Sequence, residues 1–186
     1  MQIEVTTWYL EMLDPGQLRP KLSEQLQLEI CRAEVPCPEF SRFLYSSVGG
    51  QWYWCDRLSW PYQRWLTYLN QPDIETWVAY VAGTPAGYVE LGKDAAGDGE
   101  IDLEIIYFGL LPQFIGQGIG GHLLTVGVQR AWALGARRVW VHTCSLDGPF
   151  AYKNYESRGF TLYDTQVSLK ALPETPPGPW PASGLT

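Results

Sequence analysis

The stretch 104–124 constrains the fold more than any other part of the sequence. The residues 103–111 form an apolar run rich in β-branched and aromatic side chains, which is typical of a buried strand. Pro112 ends that strand because proline cannot donate to a sheet ladder. Apolar residues then recur at helical spacing over 118–134, and Gly135 stands where a C-terminal cap belongs. The sequence therefore predicts a strand, a glycine-rich turn and a helix in direct succession.

The turn carries four glycines, at positions 116, 118, 120 and 121. Glycine permits positive φ and lets a ligand approach the backbone, and the free N–H groups at a helix start favour an anion such as phosphate. A dinucleotide fingerprint, Gly-x-Gly-x-x-Gly, also fits the spacing, but it needs an acidic residue about 20 positions on. The segment 135–146 holds neither Asp nor Glu, which argues against that ligand. A purely structural role, in which the glycines only permit tight packing, remains an alternative.

Composition narrows the class of protein. The 186 residues are enough for one domain with a substantial core, and no apolar run approaches the ~18 residues of a membrane span. A net charge of −7 argues against nucleic acid and anionic membranes as partners. The four cysteines form no C-x-x-C pair and there are only two histidines, so we expect no metal site. These cysteines and a start without a basic signal region indicate a reducing, cytoplasmic setting.

Local patterns predict strands and helices in a mixed order. The predicted strands are 3–10, 26–30, 75–82, 86–91, 103–111, 138–143 and 160–169. The predicted helices are 38–47, one starting near residue 59, 118–134 and 150–157. We expect one domain over residues 1–171, followed by a proline-rich tail, 172–186, that is disordered or lies on the surface.

The strand, glycine turn and helix resemble the first signature of the GNAT superfamily of N-acetyltransferases, in which Gln/Arg-x-x-Gly-x-Gly/Ala opens a helix after a buried strand. The register Gln113–Gly118 fits the letters of that signature. The register Ile115–Gly120 keeps the family's distance to Pro112 and is preferred, although it places Ile115 where the family has Gln or Arg.

A second stretch, 147–160, resembles the family's other signature, Asn-x-x-Ala-x-x-x-Tyr-x-x-x-Gly-Phe. Gly148 stands where the family has Asn. We expect the neighbouring Asp147 to cap the following helix, with replacement of the missing Asn side chain as the alternative. The positions that match the signature are Ala151, Tyr155, Gly159 and Phe160.

The resemblance implies a GNAT fold, an α/β (α+β) architecture with a central mixed, mostly antiparallel sheet that is splayed at the coenzyme A site and flanked by helices. It also implies acetyl-CoA as co-substrate, with its pantetheine paired to the main chain of Phe108, Gly109 and Leu110. The pyrophosphate would be held by the turn, which comprises Gly116, Gln117, Gly118, Ile119, Gly120 and Gly121. Further candidates for the phosphate end are His122, Lys153 and Arg158.

Transfer of an acyl group from a thioester to an amine needs a base for the amine and a proton for the leaving thiolate. Glu104, flanked by apolar residues, is the candidate base, and an exposed strand-face charge is the alternative reading. His142 is a second candidate base, although a structural histidine is the more common case. Tyr155 matches the family's general-acid tyrosine, and a core residue with a hydrogen-bonded hydroxyl is the alternative. Cys144 has no visible activating base and is read as a free buried cysteine.

Aromatic residues are concentrated in the N-terminal half, where six of nine tryptophans precede residue 78. Trp65 and Trp77 are expected in the core. Aromatic faces near carboxylates such as Glu11 and Asp56 suit an ammonium group. The expected acceptor wall consists of Trp8, Tyr9, Trp52 and Trp54, with a place in the core as the equally weighted alternative.

These observations predict an enzyme, an N-acyltransferase that moves an acetyl group from acetyl-CoA to the amine of a small molecule. A GNAT-like domain that binds acyl-CoA without catalysis, as a sensor or scaffold, is the alternative of a different class. An O-acyltransferase is the third. The expected partner is a small-molecule amine, and a homodimer remains open.

Overall fold

The structure is a computed structural model that describes residues 2–25, 27–95 and 100–180. Three short 3-10 turns lie at Pro15–Gln17, Gly50–Trp52 and Pro112–Phe114. The elements in chain order are β1 (Gln2–Met12), β2 (Leu28–Arg32), α1 (Pro38–Gly49), α2 (Tyr62–Leu69), β3 (Ile74–Val81), β4 (Thr84–Ala95), β5 (Ile101–Leu110), α3 (Ile119–Ala133), β6 (Arg138–Cys144), α4 (Ala151–Arg158) and β7 (Thr161–Ala171). Met1, Leu26, residues 96–99 and residues 181–186 lie outside the described ranges, so the predicted strand 26–30 and the predicted tail 172–186 are described only in part.

The strands form one seven-stranded sheet in the order β2-β3-β4-β5-β6-β1-β7. Only the β5–β6 pair is parallel, because α3 carries the chain back across the sheet between these two strands. All other neighbours are antiparallel. The predicted mixed, mostly antiparallel sheet is therefore confirmed, and β2, which overlaps the predicted strand 26–30, lies at one edge.

Helices cover the sheet on both faces. We call the face of the sheet that α3 covers the α3 face. There, Leu123 and Val128 of α3 are fully buried together with Leu103 and Ile105 of β5. On the opposite α1 face, Leu44 and Val48 of α1 pack against the central strands. Among the helices that the structure describes, none has the length and hydropathy needed to cross a bilayer.

A β-bulge in β5 reverses which side chains point to which face. The register pairs Glu90 with Tyr107 but Leu91 with Ile105, so Ile106 is the extra residue. Before the bulge, Ile105 belongs to the α3-face core; after it, Tyr107 packs on the α1 face. Phe108 consequently points to the α3 face, toward α4. Without the bulge, Tyr107 would share the α3 face with Ile105; because of it, Tyr107 faces α1 and Phe108 faces α3.

Candidate active site

The β5–β6 pair opens into a gap. Its parallel ladder covers Asp102–Ile105 and Arg138–Val141 and then stops, although β5 runs on to Leu110 and β6 to Cys144. Beyond that point, β4 pairs with one edge of Phe108–Leu110. Within the described residues no strand pairs with the other edge. Main-chain groups on that edge are available to a strand-like ligand, such as an amide-containing chain.

One continuous cavity of about 1110 Å³ passes through this gap. At one end it reaches the glycine turn and α4, and at the other end it reaches the loop that follows α1. Its lining includes the strand residues Phe108, Gly109 and Leu110. An extended ligand can therefore lie at the turn while its far end meets a second molecule on the α1 face.

The glycine turn adopts the backbone that its sequence requires. Gly116 and Gly118 have φ of +85° and +78°, in the left-handed region that favours glycine. A Cβ at either position would meet nothing within 4 Å, so the space beside the turn is open. Gly120 and Gly121 also line the cavity. Ile119 is fully buried in the core, and the Gln117 side chain donates to the carbonyl of Gln113 at 2.7 Å, so these two side chains shape the turn.

Two cations lie beside the start of α3. A Cβ on Gly121 would be 2.8 Å from both Arg158 Nη1 and Lys21 Cδ. The Arg158 Nε is buried and has no hydrogen-bond partner among the described residues, and burial lowers the Arg158 pKa. Lys21 and Arg158 both line the cavity, as does Lys153. The positive charges of Lys21, Lys153 and Arg158 along this part of the cavity suit an anionic ligand such as a phosphate.

Sequence patterns alone could not place Lys21, which lies in an irregular segment far from α3 along the chain. Main-chain hydrogen bonds hold that segment: Arg19 donates to the Arg158 carbonyl at 2.9 Å and Lys21 to Thr125 Oγ1 at 3.0 Å. The Ser23 N–H donates to His122 Nδ1 at 3.2 Å. His122 thus ties down this segment and does not line the cavity.

The two candidate bases form one pair on the α1 face. His142 Nδ1 lies 3.1 Å from Glu104 Oε1. The His142 side chain is 45% exposed and lines the cavity, whereas Glu104 is 21% exposed and lies behind it, outside the lining. An ionised carboxylate can only accept, so the histidine donates from Nδ1 and its Nε2 is left as an acceptor.

Tyr155 lies on α4 at the inner wall of the gap. Its ring contacts Phe108 and Phe160 at centroid distances of 5.9 Å each, and the residue is 4% exposed. It lines the cavity. Burial raises the Tyr155 pKa well above its usual value, and the negative charge of Asp147 raises it further. The phenol therefore keeps its proton at neutral pH.

The expected cap by Asp147 is wrong. Phe150 is the N-cap of α4 and forms no side-chain cap. Asp147 Oδ2 instead accepts from Thr143 Oγ1 at 2.7 Å and from the Cys144 N–H at 2.8 Å, and so closes the turn after β6. Cys144 is partly buried, and burial and the Asp147 carboxylate raise its pKa, which leaves it a poor nucleophile at neutral pH.

The four expected acceptor aromatics divide into two groups. Trp52 and Trp54 line the cavity together with Asp56. The ring centroids of Trp54 and Tyr107 are 4.7 Å apart. Trp52 instead lies over Gly148, and a Cβ on Gly148 would be 3.3 Å from the Trp52 ring. A glycine in place of the family's Asn therefore leaves room for the Trp52 ring.

Trp8 and Tyr9 lie outside the cavity lining. Trp8 packs on Tyr152 at 5.6 Å on the α3 face. Tyr9 lies on the other face, 5.9 Å from the His142 ring. Tyr9 thus supports the candidate base, and Trp8 belongs to the core around α4.

Comparison of the sequence with known protein families identifies the class to which this fold belongs. The sequence profile described as the Acetyltransferase (GNAT) family matches residues 37–160. The chain belongs to the GNAT family of acetyltransferases. A search of curated protein sequences finds no significant match.

Solved structures share the fold. An aminoglycoside acetyltransferase from an uncultured soil metagenomic sample, in complex with trehalose, matches with a TM-score of 0.60 and 22% identity, over 71% of this chain and 87% of that one. A GCN5-related N-acetyltransferase from Sphaerobacter thermophilus matches with a TM-score of 0.63 and 13% identity, over 89% of this chain and 51% of that one. A GCN5-related N-acetyltransferase from Kribbella flavida matches with a TM-score of 0.59 and 19% identity, over 90% and 59%. The chain spans about half to three-fifths of the length of the latter two proteins.

Proposed function

We propose that this GNAT protein is an acetyl-CoA-dependent N-acetyltransferase that acts on a small cationic amine. The observation that carries the proposal is the single cavity that joins the glycine turn, the open edge of β5, the His142–Glu104 pair and Tyr155. A domain that only binds acyl-CoA needs the first two features. The last two are the groups that an acyl transfer to an amine requires.

The residues at the turn fit the anionic end of coenzyme A. Gly116 and Gly118 leave open space beside backbone N–H groups, and Arg158 and Lys21 offer positive charge next to Gly121. Ile115 has no polar group with which to bind the pyrophosphate, as a Gln or Arg at this position could. Arg158 and Lys21 supply that attraction to the phosphates instead. Phe108–Leu110 would hold the pantetheine amides through their main chain.

His142 is the group we assign as base. When bound, acetyl-CoA supplies an acyl thioester; the amine nitrogen bonds to the acyl carbon, the C–S bond breaks, and an amide and a thiol result. The attacking amine must be neutral, so a proton passes from it to His142 Nε2, directly or through water. Glu104 holds the imidazole with its Nε2 toward the cavity and balances the charge that the ring gains.

Tyr155 assists the leaving sulfur. Since burial holds the Tyr155 pKa far above the ~8.5 of an ordinary thiol, complete proton transfer to the thiolate is uphill. We therefore assign to the phenol a hydrogen bond that stabilises the developing negative charge, with water as the final proton source.

The acceptor end favours a positive charge. Asp56 lines it beside the rings of Trp52 and Trp54, and the whole chain carries a net charge of −7. Lys170 is a lining cation that opposes this preference. An aromatic face contributes about 0.5–2 kcal/mol to the binding of an ammonium group. One structural neighbour is described as an aminoglycoside acetyltransferase, and aminoglycosides carry several amines, so they belong among the first acceptors to test.

The test is a thiol-release assay with acetyl-CoA and a panel of polyamines, aminoglycosides, amino acids and matched alcohols. N-acetylation predicts thiol release with amines and a mass increase on nitrogen. Release only with alcohols would assign an O-acyltransferase. Acetyl-CoA binding by calorimetry without release from any acceptor would favour the sensor or scaffold role.

A further inference from the structure

The chain beyond β7 returns to the opposite side of the cavity. Lys170, Ala171 and Leu172 line the cavity where β7 ends. Six residues later, the Gly178 N–H donates to the Gly50 carbonyl at 3.0 Å. Gly50 is in the 3-10 turn that ends at Trp52, which lines the cavity from the α1 side. We call residues 172–178 the C-terminal strap.

The strap therefore joins the two sides of the acceptor end. One side is the end of β7, and the other is the loop that carries Trp52 and Asp56. Six residues span at most about 20 Å, so the strap is short compared with a flexible tail. It includes Pro173, Pro176 and Pro177, which restrict the backbone and lower the entropy lost when the strap closes.

The contact between strap and body depends on two glycines. A Cβ on Gly50 would lie 2.6 Å from the Gly178 Cα, closer than atoms can approach. Gly178 has a φ of +44°, in the region where other residues are strained. Either glycine can therefore be replaced to disturb the same contact from opposite sides.

We propose that the C-terminal strap, which lines the cavity at Leu172 and is tied to Gly50 through Gly178, bridges the acceptor end, and that its closure onto Gly50 determines which acceptors fit. This inference rests on the proposed function, because it assigns the acceptor to that end of the cavity. It makes the strap a specificity-determining segment: a closed strap excludes bulky amines, and a displaced strap admits them.

The first test needs no acceptor and no activity. Cys55 lines the cavity and Cys31 is exposed on β2, so alkylation by N-ethylmaleimide can be followed at both by peptide mass spectrometry. Each of Gly50→Ala and Gly178→Ala should cost about one net hydrogen bond between strap and body, and so make opening of the strap about 2- to 12-fold more favourable. The alkylation rate of Cys55 should rise by the same factor, and that of Cys31 should not change. Gly83→Ala is the matched control, because Gly83 also has positive φ but lies in the β3–β4 hairpin with open space around it.

The second test uses the acceptor panel. Displacement of the strap predicts a changed KM ratio between bulky and small amines, with acetyl-CoA affinity kept. Unchanged Cys55 alkylation in both strap variants overturns the proposal, whether or not an acceptor is known. Faster alkylation with the same acceptor profile overturns the specificity role. If the wild type binds acetyl-CoA but transfers to no acceptor, the proposed function fails, and alkylation still decides whether the strap covers the cavity.

Discussion

His142 Nδ1 lies 3.1 Å from Glu104 Oε1, at the level where the parallel β5–β6 ladder stops. The two side chains come from neighbouring strands, yet only His142 reaches the cavity. Under the proposed function the two have different tasks: His142 meets the acceptor, and Glu104 orients His142. Two residues that look like rival bases in the sequence are therefore parts of one unit.

We predict that the pair behaves non-additively in a double-mutant cycle. His142→Asn should lower kcat by about 10²–10⁴, the usual contribution of a general base. Glu104→Gln should cost less, because the imidazole remains. If Glu104 acts only through His142, the double variant should be no slower than His142→Asn alone.

Steady-state kinetics of the wild type, the two single variants and the double variant measure this cycle, with acetyl-CoA affinity as the control. A Glu104→Gln defect that is undiminished in the His142→Asn background would instead make Glu104 the base.

Tyr155→Phe tests the phenol while it keeps the ring. Because the ring packs on Phe108 and Phe160, we expect the unfolding temperature to change little. Turnover of a good acceptor should fall by about 10²–10³ if the hydroxyl stabilises the charge that develops on the leaving sulfur. Stopped-flow thiol detection gives the rate of the chemical step, and a change of less than about twofold in that step would leave Tyr155 a core residue.

The order of strands and helices follows from local patterns, and so does the glycine turn. The acceptor wall could have been predicted better from the sequence. Trp8 and Tyr9 are consecutive residues of a strand, and consecutive side chains point to opposite faces, so the two cannot both line an acceptor end that lies on the α1 face. Their placement on the two faces of β1 is the outcome that this rule requires.

Other features depend on contacts between distant parts of the chain. The bulge at Ile106 decides that Tyr107 faces α1, and no turn residue in the sequence marks it. Lys21 reaches Gly121 only because main-chain groups of its segment bond to α3 and α4. The pairing of Glu104 with His142 needs the β5–β6 register, which the turns at either end do not specify.

Gly118→Ala should weaken acetyl-CoA binding in a protein that stays folded. Gly118 has a φ of +78°, so any side chain strains the turn and adds bulk where the phosphates would lie. Gly135→Ala is a matched control, with a φ of +85° and equally open surroundings at the far end of α3. Calorimetry should show weaker binding for Gly118→Ala alone, while both variants lose similar stability, about 1 kcal/mol. Equal affinities in the two variants would contradict the assignment of the turn.

Trp52→Ala should raise the KM for the acceptor and leave acetyl-CoA affinity intact. One lost ring over an ammonium predicts about a 2- to 30-fold effect. Trp54 is a poorer probe, because it packs on Tyr107 and lies where a Cβ on Gly49 would be. Trp54→Ala should therefore destabilise the fold, because it removes these packing contacts. An unchanged KM in Trp52→Ala would place the acceptor elsewhere in the cavity.

Glu75 connects three elements and makes stability depend on acid pH. Its carboxylate accepts two hydrogen bonds of 2.8 Å from Arg130 of α3 and one of 2.9 Å from Trp77, and it lies 3.1 Å from Arg32 of β2. The Arg130 hydrogen bonds, more than any other cause, lower the Glu75 pKa. A carboxyl group whose pKa is lower in the folded state stabilises the fold above its unfolded pKa, about 4.3, and this contribution is lost as the pH falls through the folded value.

Glu75→Gln should therefore lower the unfolding free energy by about 1.5–3 kcal/mol at pH 7, the range for hydrogen bonds to charged groups. Its difference from wild type should shrink as the pH falls below about 4, since the wild-type carboxylate is then protonated too. Glu29→Gln is the control, because Glu29 is an exposed glutamate on the neighbouring β2. Urea unfolding of the three proteins at several pH values measures the effect. If the difference in unfolding free energy between Glu75→Gln and wild type stayed constant down to acid pH, shape and packing at this position, rather than the charge, would hold α3 to the sheet.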